Sequence, residues 1–306
     1  MDLIECNEEA FLQRIFRLCA GVYEEFIQIL FTWLTRKGKL ERALESRWTS
    51  QAAKMLNIEK ALRQRLHYKS IHSSSINDSA ERVLNEEEIS VSGDIRDEMK
   101  TTIERALKRM DAYDELIEKV EEIRNTRYDS DNSNHKDLLS QLWLLIHPDI
   151  PLTSMISSQW KHIGFQGNDP STDFRGMGIL SLHQMIYFAK NHLEILKNML
   201  SVCNHPTIGF PWATAGITFT ALTRDLLQNG YLKRHFYNTL DHCETIEDFH
   251  RAYVRIFILY MEYYRRWNPS TMMEFNTIRY KFESSLKTEL LKDEANLNEI
   301  TLEDLI

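Results

Sequence analysis

The chain has 306 residues, 43% hydrophobic and 27% charged, an ordinary balance for a soluble globular protein with room for one large domain or two. Its formal net charge is -8 and no Lys/Arg cluster is interleaved with aromatic residues, which argues against nucleic acid as a partner. Only 6 Pro and 10 Gly punctuate the length, too few for the turns of a sandwich or barrel, so an all-α protein is predicted.

At the N-terminus, Asp2, Glu5, Glu8 and Glu9 occupy the place of a basic n-region, so no cleavable secretory signal is expected. Phe11, Ile15, Leu18, Val22, Phe26, Ile29 and Trp33 then recur at helical spacing, while Phe16, Tyr23, Ile27, Phe31 and Leu34 make the other faces apolar too. Two readings stand for this helix: burial in the fold, or an interfacial position that gives residues 11–37 a peripheral membrane contact. A true span is disfavoured by Glu24 and Glu25, since a charge near the bilayer centre costs about 2.5 to 3.5 kcal/mol on insertion scales.

Gly38 closes that helix, residues 40–66 read as a more polar helical stretch, and the Ser- and Asn-rich residues 67–79 read as a linker loop. A long helix over 94–124 follows, with Ile95, Met99, Ile103, Ala106, Met110, Tyr113, Ile117 and Val120 on one stripe and Glu104/Lys108 and Glu115/Lys119 as solvent-side pairs. Asp129-Ser130-Asp131-Asn132-Ser133-Asn134 is a turn and cap cluster leading into a helix over 138–146, which ends before Pro148. It lacks the central Gly and terminal Glu of an EF-hand, so no calcium loop is expected. Apolar periodicity marks further helices over 179–200, 216–227, 246–267 and 270–291, and the acidic tail after Lys292 reads as loosely ordered.

Residue types outrun packing needs in one place, residues 160–185. Gly167-Asn168-Asp169-Pro170 carries the residues of a tight turn, and Ser171, Thr172 and Asp173 are types favoured at helix N-caps, so a helix is expected to start near Asp173 with Asp173 as cap. Ile179, Leu182 and Ile186 form its buried stripe, and Arg175 falls on the N-terminal extension of that stripe. A cation in a first helical turn opposes the helix dipole by about 0.3 to 1 kcal/mol, so something else must justify Arg175. It forms either a salt bridge to Asp173 or Asp169, or an arginine finger that stabilises phosphoryl transfer in a partner's active site.

Around it, Gly176 and Gly178 would let a partner's backbone approach, and the free amides of the helix start would tolerate phosphate. Gln166 reads as a buried turn amide or as an orienter of attacking water, and Trp160 and Phe165 as core anchors of the turn or as partner surface. Arg175-Gly176-Met177-Gly178 is no P-loop, since the Gly-Lys-Ser/Thr ending is missing, so the chain is not expected to bind nucleotide by itself. Cys203-Asn204-His205 and His242-Cys243 lack zinc-ligand spacing, and neither a metal nor a cofactor is expected. The four cysteines, Cys6, Cys19, Cys203 and Cys243, are too scattered for a disulfide framework and read as reduced thiols of a cytoplasmic protein.

The run resembles the signature of the ELMO domain, matching it at Trp160, Gly164, Phe165, Gln166, Pro170, Thr172, Asp173, Phe174, Arg175, Gly176, Gly178 and Leu182, with Met185 in place of a leucine. Tyr128-Asp129-Ser130-Asp131-Asn132, Ala215-Gly216-Ile217, His235-Phe236-Tyr237-Asn238 and Met273-Glu274-Phe275-Asn276 are also similar to the short, stand-alone ELMO-domain proteins. The resemblance implies a multi-helix ELMO domain over 127–291, an N-terminal helical extension over 1–126 and the acidic tail 292–306. It further implies GTPase-activating activity toward GTP-bound Arf and Arf-like small GTPases, with Arg175 as the finger and Gln166, Thr172, Asp173, Gly176, Gly178, Trp160 and Phe165 in support. The rival is a non-catalytic scaffold in Rac and cytoskeletal signalling, as in the larger ELMO proteins, whose relatives lack the arginine at this position.

Overall fold

The computed structural model describes residues 38–45, 50–65, 75–86 and 93–306. Every regular element among them is a helix, as the scarcity of turn residues predicted. The expected N-terminal helix within residues 11–37, and with it the choice between burial and membrane contact, lies outside the described residues. The chain divides into two compact units, residues 1–48 with 54–107, and residues 49–53 with 108–306.

In the first unit, α1 (Lys39–Glu45), α2 (Gln51–Arg65), α3 (Ile76–Glu86) and the start of α4 (Asp94–Asn125) bury Leu40, Ile58, Leu62, Leu84, Ile103 and Leu107. Glu81 of α3 receives both Arg96 (2.9 Å) and Lys100 (3.1 Å) from α4, and the two cations hold its carboxyl below the usual range. Helix α3 begins at Ile76, so the loop expected over 67–79 ends earlier than its Ser and Asn content suggested. Ser75 provides the reason: its hydroxyl accepts from the Asp78 amide, which turns a loop residue type into a helix start. The solvent-side pairs expected on α4 do not form, and Lys119 reaches Glu122 at 2.7 Å instead.

The second unit is built around α10 (Ile246–Trp267), which presents buried Phe249, Tyr253, Phe257, Tyr260 and Tyr264 to its neighbours. Its bounds are those expected, because local chemistry and packing agree there. Thr245 and Asp248 make a reciprocal capping box at the start, and Asn268 in the left-handed conformation (φ 52°) ends it. Helices α6 (Gly178–Asn191), α8 (Trp212–Gln228) and α11 (Phe275–Leu290) pack on α10. Phe219 of α8 stacks on Phe257 at 4.7 Å between ring centres, and Tyr260 meets Phe282 of α11 at 5.4 Å. Such pairs add about 0.5 to 1.5 kcal/mol to the burial of their area.

Helix α5 runs over Ser133–Ile146, starting before residue 138 because Asn132 caps it by accepting from the Asn134 amide. The single helix expected over 179–200 is two, α6 and α7 (Leu193–Cys203), broken at His192 (φ -138°, ψ 43°) without a Gly or Pro to announce it. An unforeseen helix α9 (Leu232–Thr239) follows α8. Arg109 of α4 closes its end by donating to the Phe236 and Leu240 carbonyls, each at 2.9 Å, while paired to buried Glu244.

The tail after Lys292 is not loose. Leu297, Ile300 and Leu305 are buried, Arg255 of α10 donates to the Leu297 and Ile300 carbonyls, and α12 (Leu302–Leu305) packs on α10 and α11. Its acids masked three anchoring apolar residues. Asp304, for example, is used at the start of α12, where it accepts the Thr301 N–H at 2.8 Å. Among the described residues no helix is long and apolar enough to cross a membrane.

Candidate functional site

The turn carrying Arg175 is built on an aromatic stack. Trp160, in a 3-10 helix over Ser158–Ile163, is wholly buried and anchored by its indole N–H to the Met155 carbonyl at 2.8 Å. Its ring meets Trp143 of α5 edge-on at 5.5 Å and Phe165 at 5.7 Å. Phe165 meets Phe174 at 5.7 Å, and Phe174 meets Tyr128 at 5.5 Å. Trp160 and Phe165 are therefore core anchors, and being buried they offer a partner no surface. Between them Gly164 takes φ 91° with its Cα against the backbone of Trp212 at the start of α8. A side chain there would sit 2.3 Å from the Trp212 nitrogen, so both the angle and the space demand glycine.

The expected helix start near Asp173 is corrected. Residues 170–172 form a 3-10 turn capped by Asp169, whose carboxylate accepts from the Ser171 amide at 3.0 Å, and α6 begins only at Gly178. Pro170 at the first position of this turn and Asp169 before it are the residue types that start a helix, so the start signal was real but displaced four residues upstream. Asp173 is not the N-cap of a helix: it ends the 3-10 turn, and its Oδ2 accepts the Gln166 backbone N–H at 2.9 Å and ties the two limbs of the loop together. Thr172 donates its hydroxyl to the Asp169 carbonyl at 2.9 Å.

Arg175 thus lies in the turn between the 3-10 segment and α6, exposed, rather than on the extension of a buried stripe. Its Nε donates to the Thr172 carbonyl at 2.8 Å, which fixes the root of the guanidinium. The salt bridge to Asp173 or Asp169 does not form. Both carboxylates are used on backbone amides, and among the described residues none lies within ion-pair distance of Arg175. The Nη groups are left facing solvent.

The neighbouring glycines differ. Gly176 is exposed, and a Cβ there would meet nothing within 4 Å, so it leaves room for an approaching backbone. Gly178 is buried at φ 52°, where a Cβ would fall 2.2 Å from the Arg124 carbonyl oxygen and 2.4 Å from that of Thr126. It serves the packing of α6 against the end of α4, not a partner. The amides of the α6 start are not free either, because Gly178 N–H donates to Phe174 and Ile179 N–H to Thr126. Of the two readings of Gln166, the buried turn amide does not hold: its side chain is exposed, and its backbone N–H serves the turn.

Two residues that sequence reasoning did not single out also hold this loop. Arg124 reaches the Gly176 carbonyl at 3.4 Å, while its Nε pairs with Glu121 at 2.9 Å. Glu121 also receives Arg224 of α8 and Gln228 Nε2, and the Arg224 hydrogen bond is the main cause holding its carboxyl below the ordinary range. Thr126 contributes the carbonyl that accepts from Ile179. No local pattern marks either residue, since both act through the end of a helix fifty residues upstream. Cys203 is buried and Cys243 exposed, both free thiols, and burial pushes the Cys203 thiol far up.

The chain belongs to the ELMO/CED-12 family, whose family pattern matches residues 118–279 and so includes the arginine-bearing turn braced on Trp160, Phe165 and Phe174. Similarity to two of its members runs along nearly the whole length. Human ELMO domain-containing protein 2 is 34% identical over 278 residues, covering 88% of this chain and 94% of the relative. Mouse ELMO domain-containing protein 1 is 32% identical over 305 residues, covering 92% and 93%. ELMO domain-containing protein B of Dictyostelium discoideum is 36% identical over 185 residues, covering 59% of this chain and 62% of the relative.

Proposed function

We propose that the chain is a GTPase-activating protein for Arf and Arf-like small GTPases, with Arg175 as an arginine finger supplied in trans. The observation that carries this reading is the state of Arg175: exposed, fixed at its root by the Thr172 carbonyl, and without an ion-pair partner among the described residues. GTP hydrolysis needs positive charge against oxygens that gain negative charge in the transition state. A planar, permanently charged guanidinium with free Nη donors meets that need. Because P-loop GTPases hold their own Mg²⁺ and orient their own water, a partner need add only this cation, worth about 10³ to 10⁵ in rate.

The rest of the turn is positional in this reading. Asp173 and Asp169 hold the backbone, Thr172 receives the Arg175 Nε, and Gly176 leaves room for the GTPase. The test is single-turnover GTP hydrolysis by a panel of Arf, Arf-like, Rho and Rab GTPases with the purified chain added. Acceleration confined to Arf or Arf-like members is expected. No acceleration of any of them would favour the scaffold reading and end this one.

A further inference from the structure

Four large apolar side chains stay in solvent around the corner where α10 ends and α11 begins. Trp267 is 42% exposed, Met272 46%, Met273 83% and Tyr280 63%. The corner is tied down by hydrogen bonds. Thr271 accepts from the Met273 amide at 3.0 Å, Glu274 accepts from the Ser270 amide at 2.8 Å, and the Met272 amide donates to the Thr207 carbonyl at 3.1 Å. Phe275, directly after it, packs on Phe210 at 4.7 Å. Methionines held out by a well-bonded turn contribute little to the core, and their exposure is unfavourable unless something covers them.

The charges around the corner indicate what that cover is. Lys281 lies over the Trp267 ring at 4.2 Å and Arg279 over the Tyr280 ring at 4.2 Å. Arg265, Arg266 and Lys281 are exposed and have no ion-pair partner among the described residues. The nearby acids are largely engaged, Glu274 in the turn and Glu283 by Arg279 and Lys287, which leaves Glu262. In a chain of net charge -8, an apolar tip bordered by unpaired cations runs against the overall trend.

We propose that this corner is a docking site for an anionic phospholipid surface. Trp and Tyr favour the headgroup level, methionine enters the acyl boundary, and Lys and Arg lay their stems along apolar groups while their heads reach lipid phosphates. Charge complementarity selects an anionic surface over a neutral one, and the contact weakens with salt.

The test sediments the full chain with vesicles of phosphatidylcholine alone and of phosphatidylcholine with phosphatidylserine. Binding to the serine-containing vesicles is expected, with Met273→Glu and the double change Arg265→Glu/Arg266→Glu each weakening it by about tenfold or more. Met273→Glu should melt like the parent because its side chain is exposed, and the double arginine variant within a few degrees of it, since two acids in the last turn of α10 oppose the helix dipole by only about 0.3 to 1 kcal/mol each. Failure of the parent to bind serine-containing vesicles overturns the proposal. Unchanged binding by both variants also overturns it, and would place any membrane contact in another segment such as residues 1–37.

Discussion

The Asp173 carboxylate accepts the Gln166 backbone N–H at 2.9 Å and so closes the loop from which Arg175 projects. A charged acceptor on a partly exposed amide is worth about 1 to 2 kcal/mol. Asp173→Ala is expected to cost about that much stability and to lower GTPase activation more than stability alone explains, because the root of Arg175 loses its brace. Asp173→Asn keeps an acceptor oxygen and should recover most of both. Thermal melts and single-turnover hydrolysis on the two variants decide it, and Asp173→Ala matching the parent in both assays would remove the brace from the account.

Gly176 and Gly178 are two residues apart and should respond in opposite ways. Gly178→Ala forces a Cβ to within 2.2 Å of the Arg124 carbonyl oxygen at a positive φ, so α6 must move from the end of α4. A loss of about 3 kcal/mol or more is expected. Gly176→Ala meets nothing within 4 Å and should leave the melting temperature unchanged. Any loss of activation in Gly176→Ala then reports on the partner's approach, whereas equal melting of the two variants would contradict the packing described.

How much of this was legible depended on whether local chemistry and tertiary packing pointed the same way. Helix α10 was readable to the residue because Thr245, Asp248 and a regular apolar stripe agree. Trp160 and Phe165 were readable as anchors for the same reason. Near Asp173 three cap-type residues stand in a row, yet none of them starts a helix: Asp169 caps the 3-10 turn, and α6 begins at Gly178 where it packs against the Arg124 and Thr126 carbonyls, a contact with no sequence signature. The ties from Arg124 and Thr126 to the loop come from over fifty residues away and were invisible for the same reason. Helix α9 is eight residues long, too short for periodicity to show, and is finished by Arg109 from α4.

His235 gives stability a pH dependence. It is buried in α9, and its Nδ1 accepts the Leu297 amide at 3.2 Å, which requires the neutral ring. Burial pushes its pKa down to about 4, against a smaller opposing influence from Asp248. His250 is pushed down to about 4 in the same way, with His183 adding to the effect. With the folded value depressed, the unfolded chain binds more protons between pH 6.5 and 4. The contribution is complete above the unfolded pKa and is lost as pH falls through this window. At pH 5 each histidine should remove about 2 kcal/mol relative to pH 7. His235→Gln, which keeps a neutral acceptor, should lose about 2 kcal/mol less than the parent between pH 7 and 5 in denaturant titrations. An unchanged difference would show that His235 does not titrate in this window.

Arg175 admits the sharpest test, because its structural value and the value of the proposed finger differ in size. Structurally it makes one hydrogen bond, from Nε to the Thr172 carbonyl, on an exposed side chain, worth about 1 kcal/mol or less. Arg175→Lys and Arg175→Ala should therefore melt within a few degrees of the parent. A finger contributing about 10³ to 10⁵ in rate corresponds to about 4 to 7 kcal/mol of transition-state stabilisation, so both variants should lose GTPase activation almost completely. Lysine is the more informative change. It keeps the charge, and would satisfy a simple electrostatic contact, but it loses both the Nε that fixes the root and the fork that can bridge two phosphate oxygens. Single-turnover hydrolysis on the responsive GTPase, paired with circular-dichroism melts, separates the possibilities. Activation near the parent level by Arg175→Lys would mean that the turn positions something other than a finger.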